Sequence, residues 1–368
     1  MSFLKSLFNK KEVVTTATAD LRYQEFWAWF QKHEKEFFKV VKKGDAIEKN
    51  FFDILGPKLN ELKESTFWYL AGMSDDNTAE LILTADGNLR NIPFIEDLVA
   101  AAPVIENWKI TALKQPSASS TFGIKMNGYT FSEETMSFYA NENPEMPDQI
   151  EITILHQEYT SENESEISHG AYLLLDNYLG ELNCVTTIDH INFKNTKNAE
   201  KEIIPLEKLK DFLIWREKEF IEKYEGIRHH TEKDNYSSFN GTLKNGLPII
   251  AIVNTDILQW NAKASHPWIA IATFKFDGDS NNGMPDDKTY ELLNTLEDTI
   301  MLELKDSDGY VNIGRETADS TREIYFSCLD FRKPAKVFDK MQRENKEIIS
   351  FDFEVYKDKY WQTYNKYL

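Results

Sequence analysis

Arg315 and Arg322 are the two residues of this chain whose type and spacing most directly suggest chemistry. They lie in the run Gly309–Pro334, GYVNIGRETADSTREIYFSCLDFRKP. Two β-rich stretches, Gly309–Thr317 and Thr321–Cys328, are joined by Ala318-Asp319-Ser320, where Asp and Ser supply turn chemistry. A turn centred between Asp319 and Ser320 sets Thr317 opposite Arg322 and Arg315 opposite Ile324. Alternation then places Val311, Ile313, Arg315 and Thr317 on one face with Arg322, Ile324, Phe326 and Cys328. That face is apolar except at its turn end, where two guanidiniums converge. Such a pair suits bidentate binding of a carboxylate or phosphate. The same spacing also serves structural ion bridges, with the arginine stems covering apolar surface.

A second candidate is electrostatic. The chain carries a formal net charge of −19 over 368 residues. The segment from Met126 to Phe193 holds thirteen carboxylates and neither Lys nor Arg. Phosphate-backbone binding needs cations, so direct contact with nucleic acid is disfavoured. Attraction to a basic protein partner is favoured, with Glu142, Glu145, Asp148, Glu158, Glu162, Glu164 and Glu166 as the contact candidates. A third candidate is the stripe Lys336, Lys340 and Arg343, opposite Phe338 and Met341 on a helix. The charge asymmetry suggests that this stripe docks on the acidic domain of the same chain.

Other chemistry finds little support. Asp277, Asp279 and Asn281 begin like a calcium loop, but Asn282 takes the glycine position and Lys288 that of the terminal glutamate. His156, His169, His190 and His229-His230 lack zinc-site spacing, so no metal or cofactor is expected. Cys184 and Cys328 lie in apolar runs, which argues for a reducing compartment and a cytoplasmic protein. No stretch reaches the length of a membrane-spanning helix.

These residues must be positioned by a mixed framework. Residues 1–19 read as a flexible tail, with Phe3, Leu4, Leu7 and Phe8 on one helical face. Residues 20–65 read as a helical hairpin, with its second helix kinked or broken at Gly56-Pro57. Residues 66–225 read as an acidic α+β domain, with a helix at Ile92–Ala102 and a strand at Asn183–Phe193. Setting aside its first strand, the order is β-α-β-β-α-β. Residues 226–368 open with a hairpin turning at Lys244-Asn245-Gly246, and from Trp268 onward repeat that order. The expected fold class is therefore α+β, with two ferredoxin-like domains, the first preceded by the helical hairpin.

The hairpin run, the strand from Trp268 to Phe274 and the loop Asn282-Gly283-Met284-Pro285-Asp286 together resemble the bacterial domain-of-unknown-function family numbered 695. The resemblance covers about residues 230–365. It implies a fold distantly similar to the regulator of ribonuclease activity B, a small acidic nuclease inhibitor, and transfers no catalytic residue. The function expected is that of a non-enzymatic binding or regulatory protein engaging a basic partner through the acidic domain. Two alternatives stand beside it. One is an enzyme or small-anion binder with a pocket at Arg315 and Arg322; the other is an immunity-type protein that neutralises a toxin.

Overall fold

The aromatic residues between Leu21 and Val41 recur at helical spacing, and one helix buries them. Helix α1 (Leu21–Lys43) buries Tyr23, Phe26, Trp27, Phe30, Phe37 and Val41. The structure, a computed structural model, describes residues 21–117 and 123–368. The expected tail, with Phe3 to Phe8, lies outside the described residues. After α1 comes a π-helical turn, Glu48–Phe52, and then α2 (Asp53–Leu62). Of the kink or break expected at Gly56-Pro57, the break does not occur. Helix α2 runs through Pro57, and the irregularity falls one turn earlier, in the π-helical turn.

Strands β1 (Trp68–Asp75) and β2 (Thr78–Thr84), helix α3 (Ile92–Ala100) and strand β3 (Trp108–Ala112) follow. They form a three-stranded sheet in the order β1-β2-β3, with β2 and β3 parallel. Two indole N–H groups bind this unit together. Trp27 Nε1 donates to the Leu98 carbonyl at 2.7 Å and Trp108 Nε1 to that of Glu34 at 3.2 Å. The unit comprises the described residues up to Thr84 together with Phe94–Ala112.

The second unit holds Ala85–Pro93 and everything described from Leu113 onward. Its first half contains β4 (Ile124–Met126), β5 (Tyr129–Phe131), β6 (Met136–Asn141), β7 (Glu151–His156), α4 (Glu164–Leu179), α5 (Glu181–Thr187), β8 (His190–Asn195), β9 (Ile204–Pro205) and α6 (Leu209–Tyr224). The sheet order is β8-β7-β6-β9, over a core that includes Phe138, Ile152, Ile154, Ile167, Leu174 and Leu209.

Two expectations are corrected here. The strands expected to share one βαββαβ sheet fall into two, β2 and β3 in one and β6 to β9 in another. The second sheet closes over an apolar core to which β2 and β3 contribute no residue. The strand expected over Asn183–Phe193 is helix α5 followed by the shorter β8. Glu181 opens α5 fully buried, its carboxylate accepting the backbone N–H groups of Ala85, Gly87 and Lys114. That tertiary anchor overrides the β preference of Val185, Thr186 and Thr187.

The C-terminal half contains β10 (Tyr236–Thr242), β11 (Pro248–Asn254), β12 (Trp268–Lys275), α7 (Asp287–Glu303), β13 (Tyr310–Ala318), β14 (Thr321–Cys328), α8 (Arg332–Asn345) and β15 (Ser350–Lys357). Six strands run in the order β10-β11-β13-β14-β12-β15, and every neighbouring pair is antiparallel. Asp286 caps α7 by accepting from the Thr289 N–H at 2.7 Å. The Asn282–Asp286 loop is buckled onto the β13–β14 turn. Phe276 N–H donates to the Ser320 carbonyl at 2.9 Å and Ser320 N–H to that of Gly283 at 2.8 Å. Gly283 has φ +77°, and a Cβ there would lie 3.0 Å from the Asp319 Cα. Two of the family-like motifs are thus one structural clasp.

The β13–β14 register pairs Thr317 with Arg322 and Arg315 with Ile324, as the turn chemistry implies. Farther from the turn, a bulge between Asn312 and Gly314 shifts the alternation. Val311 and Ile313 therefore pack with Tyr325, Trp361 and Tyr364 on the opposite face from Arg315 and Arg322. Gly314 makes the bulge possible. Its φ is +144°, and a Cβ would strike the Ile252 carbonyl oxygen on β11. Replacing Gly314 with Ala should cost at least ~3 kcal/mol of unfolding free energy, through backbone strain and the displaced β11 contact. Denaturant unfolding checks this, and a change under 1 kcal/mol would refute it.

Candidate functional site

Each guanidinium of the arginine pair meets a partner supplied by α7 or by its own hairpin. Arg315 Nη1 donates to Glu297 Oε2 at 2.6 Å. Arg322 is 2% exposed, with Nε donating to Thr317 Oγ1 and Nη1 to Asn294 Oδ1, both at 3.0 Å. The Tyr290 ring lies 5.2 Å away. Tyr290, Asn294 and Glu297 follow one another at i, i+4 and i+7, so one stripe of α7 serves both arginines. Burial, then the neighbouring Arg315 charge, pushes the Arg322 pKa down to about 10. An open groove of about 370 Å³ lies elsewhere, lined by Lys275, Phe276, Asp277, Thr289, Ile348 and Ile349 among others, and neither arginine lines it.

The acidic segment divides into a buried and an exposed population. Four of its carboxylates are enclosed and take cations or N–H groups from outside the segment. Glu181 binds the three backbone amides already named, and Asp176 pairs with Lys114 at 2.7 Å. Asp148, one of the seven contact candidates, is consumed internally. It accepts from Lys223 at 2.8 Å, Tyr224 at 2.7 Å and Tyr360 at 2.9 Å. Burial opposes its ionisation, but these hydrogen bonds outweigh burial and hold its carboxyl below the usual range.

Asp189 is the deepest of the four. Its two oxygens meet Lys357 at 2.8 Å and Lys359 at 2.7 Å, and the second also accepts the Ile150 N–H at 2.6 Å. Lys357 Nζ donates further to the Thr186 carbonyl at 2.6 Å, and Lys359 Nζ to that of Asp148 at 2.7 Å. Burial raises the Asp189 pKa, but the two lysine charges and the amide outweigh it, so the carboxyl lies below its ordinary value. Lys359 moves the other way. Burial, then the charge of Lys357, brings it down to about 8.

The remaining six candidates, Glu142, Glu145, Glu158, Glu162, Glu164 and Glu166, are exposed and form no ion pair among the described residues. They do not make one patch. Glu142 and Glu145 precede β7, whereas Glu158 to Glu166 follow it, at the opposite end of a six-residue strand roughly 20 Å long.

Two residues of the expected docking stripe pair within the C-terminal half. Lys340 pairs with Glu303 of α7 at 3.4 Å, and Arg343 with Asp339 one turn back at 2.9 Å. Lys336 is half-buried on the same helix. The C-terminal lysines that do meet the acidic segment, Lys357 and Lys359, sit at and beyond the end of β15. Their spacing carries a usable signal, since Lys357, Lys359 and Tyr360 crowd one short polar stretch after a buried strand.

A histidine cluster also emerges that sequence spacing did not suggest. His229 Nε2 donates to Asp234 Oδ2 at 2.7 Å, and buried Asn254 donates to the same oxygen at 2.7 Å. Trp260 stands between His229 and His266, its ring 5.2 and 5.3 Å from theirs. His266 is fully buried, its Nδ1 2.8 Å from Ser265 Oγ and its Nε2 without a partner. Burial, then Arg228 and His229, brings its pKa down to about 3, so it is neutral at ordinary pH. Among the described residues, no group of three or more His, Cys, Asp or Glu is placed to hold a metal ion. No helix among them is long and apolar enough to cross a membrane.

Removing the Asp189 charge with Asp189→Asn should cost on the order of 3–5 kcal/mol, because two lysines are left buried beside a neutral group. The folded carboxyl titrates below the unfolded one, which titrates near ~3.9. Its contribution is therefore full above that value and is lost as pH falls through the folded pKa. The difference between wild type and variant should shrink as pH falls from about pH 5 to below about pH 4. Unfolding measured across that range checks both points, and a pH-independent difference would contradict them.

Comparison with curated proteins and with solved structures finds no match to the chain. Residues 234–368 match the model of the Family of unknown function (DUF695), and the β13–β14 hairpin, strand β12 and the Asn282–Asp286 loop all fall inside that match.

Proposed function

We propose that the chain is a non-enzymatic binding or regulatory protein that engages a basic protein partner through the Glu158–Glu166 end of its acidic segment. One observation carries this reading. Internal docking uses Asp148, Asp176, Glu181 and Asp189, whereas Glu158, Glu162, Glu164 and Glu166 stay exposed within nine residues and without ion-pair partners among the described residues. Four such charges in one solvated stretch create a local negative potential that speeds encounter with a cationic surface. Their position at the start of α4 also suits them to the helix dipole, so folding does not oppose keeping them there.

The strand order β13-β14-β12-β15 with α7 and α8 supports a ferredoxin-like core for the C-terminal domain, extended by β10 and β11. In this reading the C-terminal domain is the scaffold that holds the acidic half in place. Kinship in fold to a nuclease inhibitor would fit it by analogy.

The segment lacks lysine, so a zero-length coupling of carboxylates to amines suits the test. In lysate of the source organism at low salt, it should join Glu158–Glu166 to lysines of one recurring partner. The link should disappear at high salt and in a Glu158→Gln, Glu162→Gln, Glu164→Gln, Glu166→Gln variant. Couplings confined to internal pairs such as Asp148–Lys223 would refute the proposal.

A further inference from the structure

The arginine pair is not electrically balanced, and the imbalance does not depend on the acidic surface. Among the described residues the two guanidiniums have one carboxylate partner, Glu297, which pairs with Arg315. Among the described residues, Arg322 has only neutral acceptors, Thr317 Oγ1 and Asn294 Oδ1, and the face of Tyr290. A guanidinium offers five N–H donors. Among the described residues, Arg322 uses two of its five and Arg315 uses one.

Leaving a buried cation without a counter-charge costs several kcal/mol. The Tyr290 ring returns only part of that, about 1–2 kcal/mol for a desolvated contact. A site with one surplus positive charge and unused planar donors is built to take an anion, and guanidinium geometry selects oxyanions that accept two parallel bonds.

Access is also present. The Arg315 side chain keeps 21% of its surface exposed. Ile250, paired with Thr317 across β11 and β13, is 40% exposed, and Tyr290 is 44% exposed. Arg315 itself pairs with Ile252 on β11. Arg315 therefore reaches solvent beside an aromatic and aliphatic rim on the α7 side of the hairpin's turn end, with buried Arg322 behind it.

We propose that Arg315 and Arg322, with Tyr290 and Ile250 at the rim, form a binding site for the carboxylate or phosphate group of a small molecule. Glu297 is then the internal competitor that holds Arg315 while the site is empty. This gives the two neighbours opposite signs. Removing the arginine must weaken binding, and removing the glutamate must strengthen it.

The test uses the full chain, titrated with sodium phosphate, sodium acetate or sodium chloride at matched ionic strength, with thermal unfolding and calorimetry as readouts. Phosphate or acetate should raise Tm saturably while chloride does not, and the stronger of the two identifies the class of anion. Glu297→Gln should tighten that binding about tenfold, and Arg315→Gln should weaken it at least about tenfold, as expected for gaining or losing a charge-assisted bond. Both variants leave buried Arg322 in place, and the ligand-induced shift is read against each variant's own baseline. A purely structural ion pair predicts that Glu297→Gln lowers stability and that neither anion shifts it. That result, or an anion response unchanged in Arg315→Gln, would overturn the proposal.

Discussion

Two lysines and one aspartate, all enclosed, connect the halves of the larger unit. Asp189 begins its local structure beside β8, while Lys357 and Lys359 come from the end of β15, some 170 residues later in the chain. Enclosing these charges is unfavourable in itself, and only close geometry with several hydrogen bonds repays it. The site has both. Every charged atom of the three meets an opposite charge, a carbonyl or an amide. The neighbouring carboxylate of Asp148 extends the contact through Tyr360 and Lys223. One consequence concerns composition: the excess of acid between Met126 and Phe193 is in part a receptor for lysines placed elsewhere in the chain.

The segment that follows Lys359 has a second role. Trp361 and Tyr364 are buried against the sheet face opposite α7 and α8, with Val311, Ile313 and Tyr325. Trp361 Nε1 donates to the His266 carbonyl at 2.9 Å, and Lys366 pairs with Glu316. Neighbouring residues of one short stretch thus serve both contacts: Lys359 and Tyr360 hold the acidic half, and Trp361 and Tyr364 cover the sheet. Trp361 adopts φ +57°, a conformation that costs an aromatic residue energy and that the surrounding contacts must impose. Docking of the acidic half and covering of the sheet are therefore mechanically one event.

Local chemistry was legible in the sequence where neighbours decide it. The Asp319-Ser320 turn set the Thr317–Arg322 register, and aromatic spacing located α1. What was not legible depended on distant atoms. The bulge at Ile313 exists because the β11 backbone leaves no room for a side chain at Gly314, and nothing in the local run announces that approach. Helix α5 carries β-branched residues and reads as a strand until the amides held by Glu181 are known. The fate of the candidate residues divides along the same line. Glu158 to Glu166 are exposed, whereas Asp148 and Lys340 meet partners that sequence spacing does not identify.

The claim on which the account most depends is that the Asp189–Lys359 contact and the aromatic cover of the sheet form one coupled element. Hydrogen exchange on Lys359→Met against wild type addresses it directly. Coupling predicts a joint loss of protection at residues 146–150, at β8 and at residues 358–367, with α7, α8 and β12 to β14 unchanged. If exchange increased only around residues 146–150 and β8, with the Trp361–Tyr364 segment as protected as before, the two contacts would be independent and the account would be wrong.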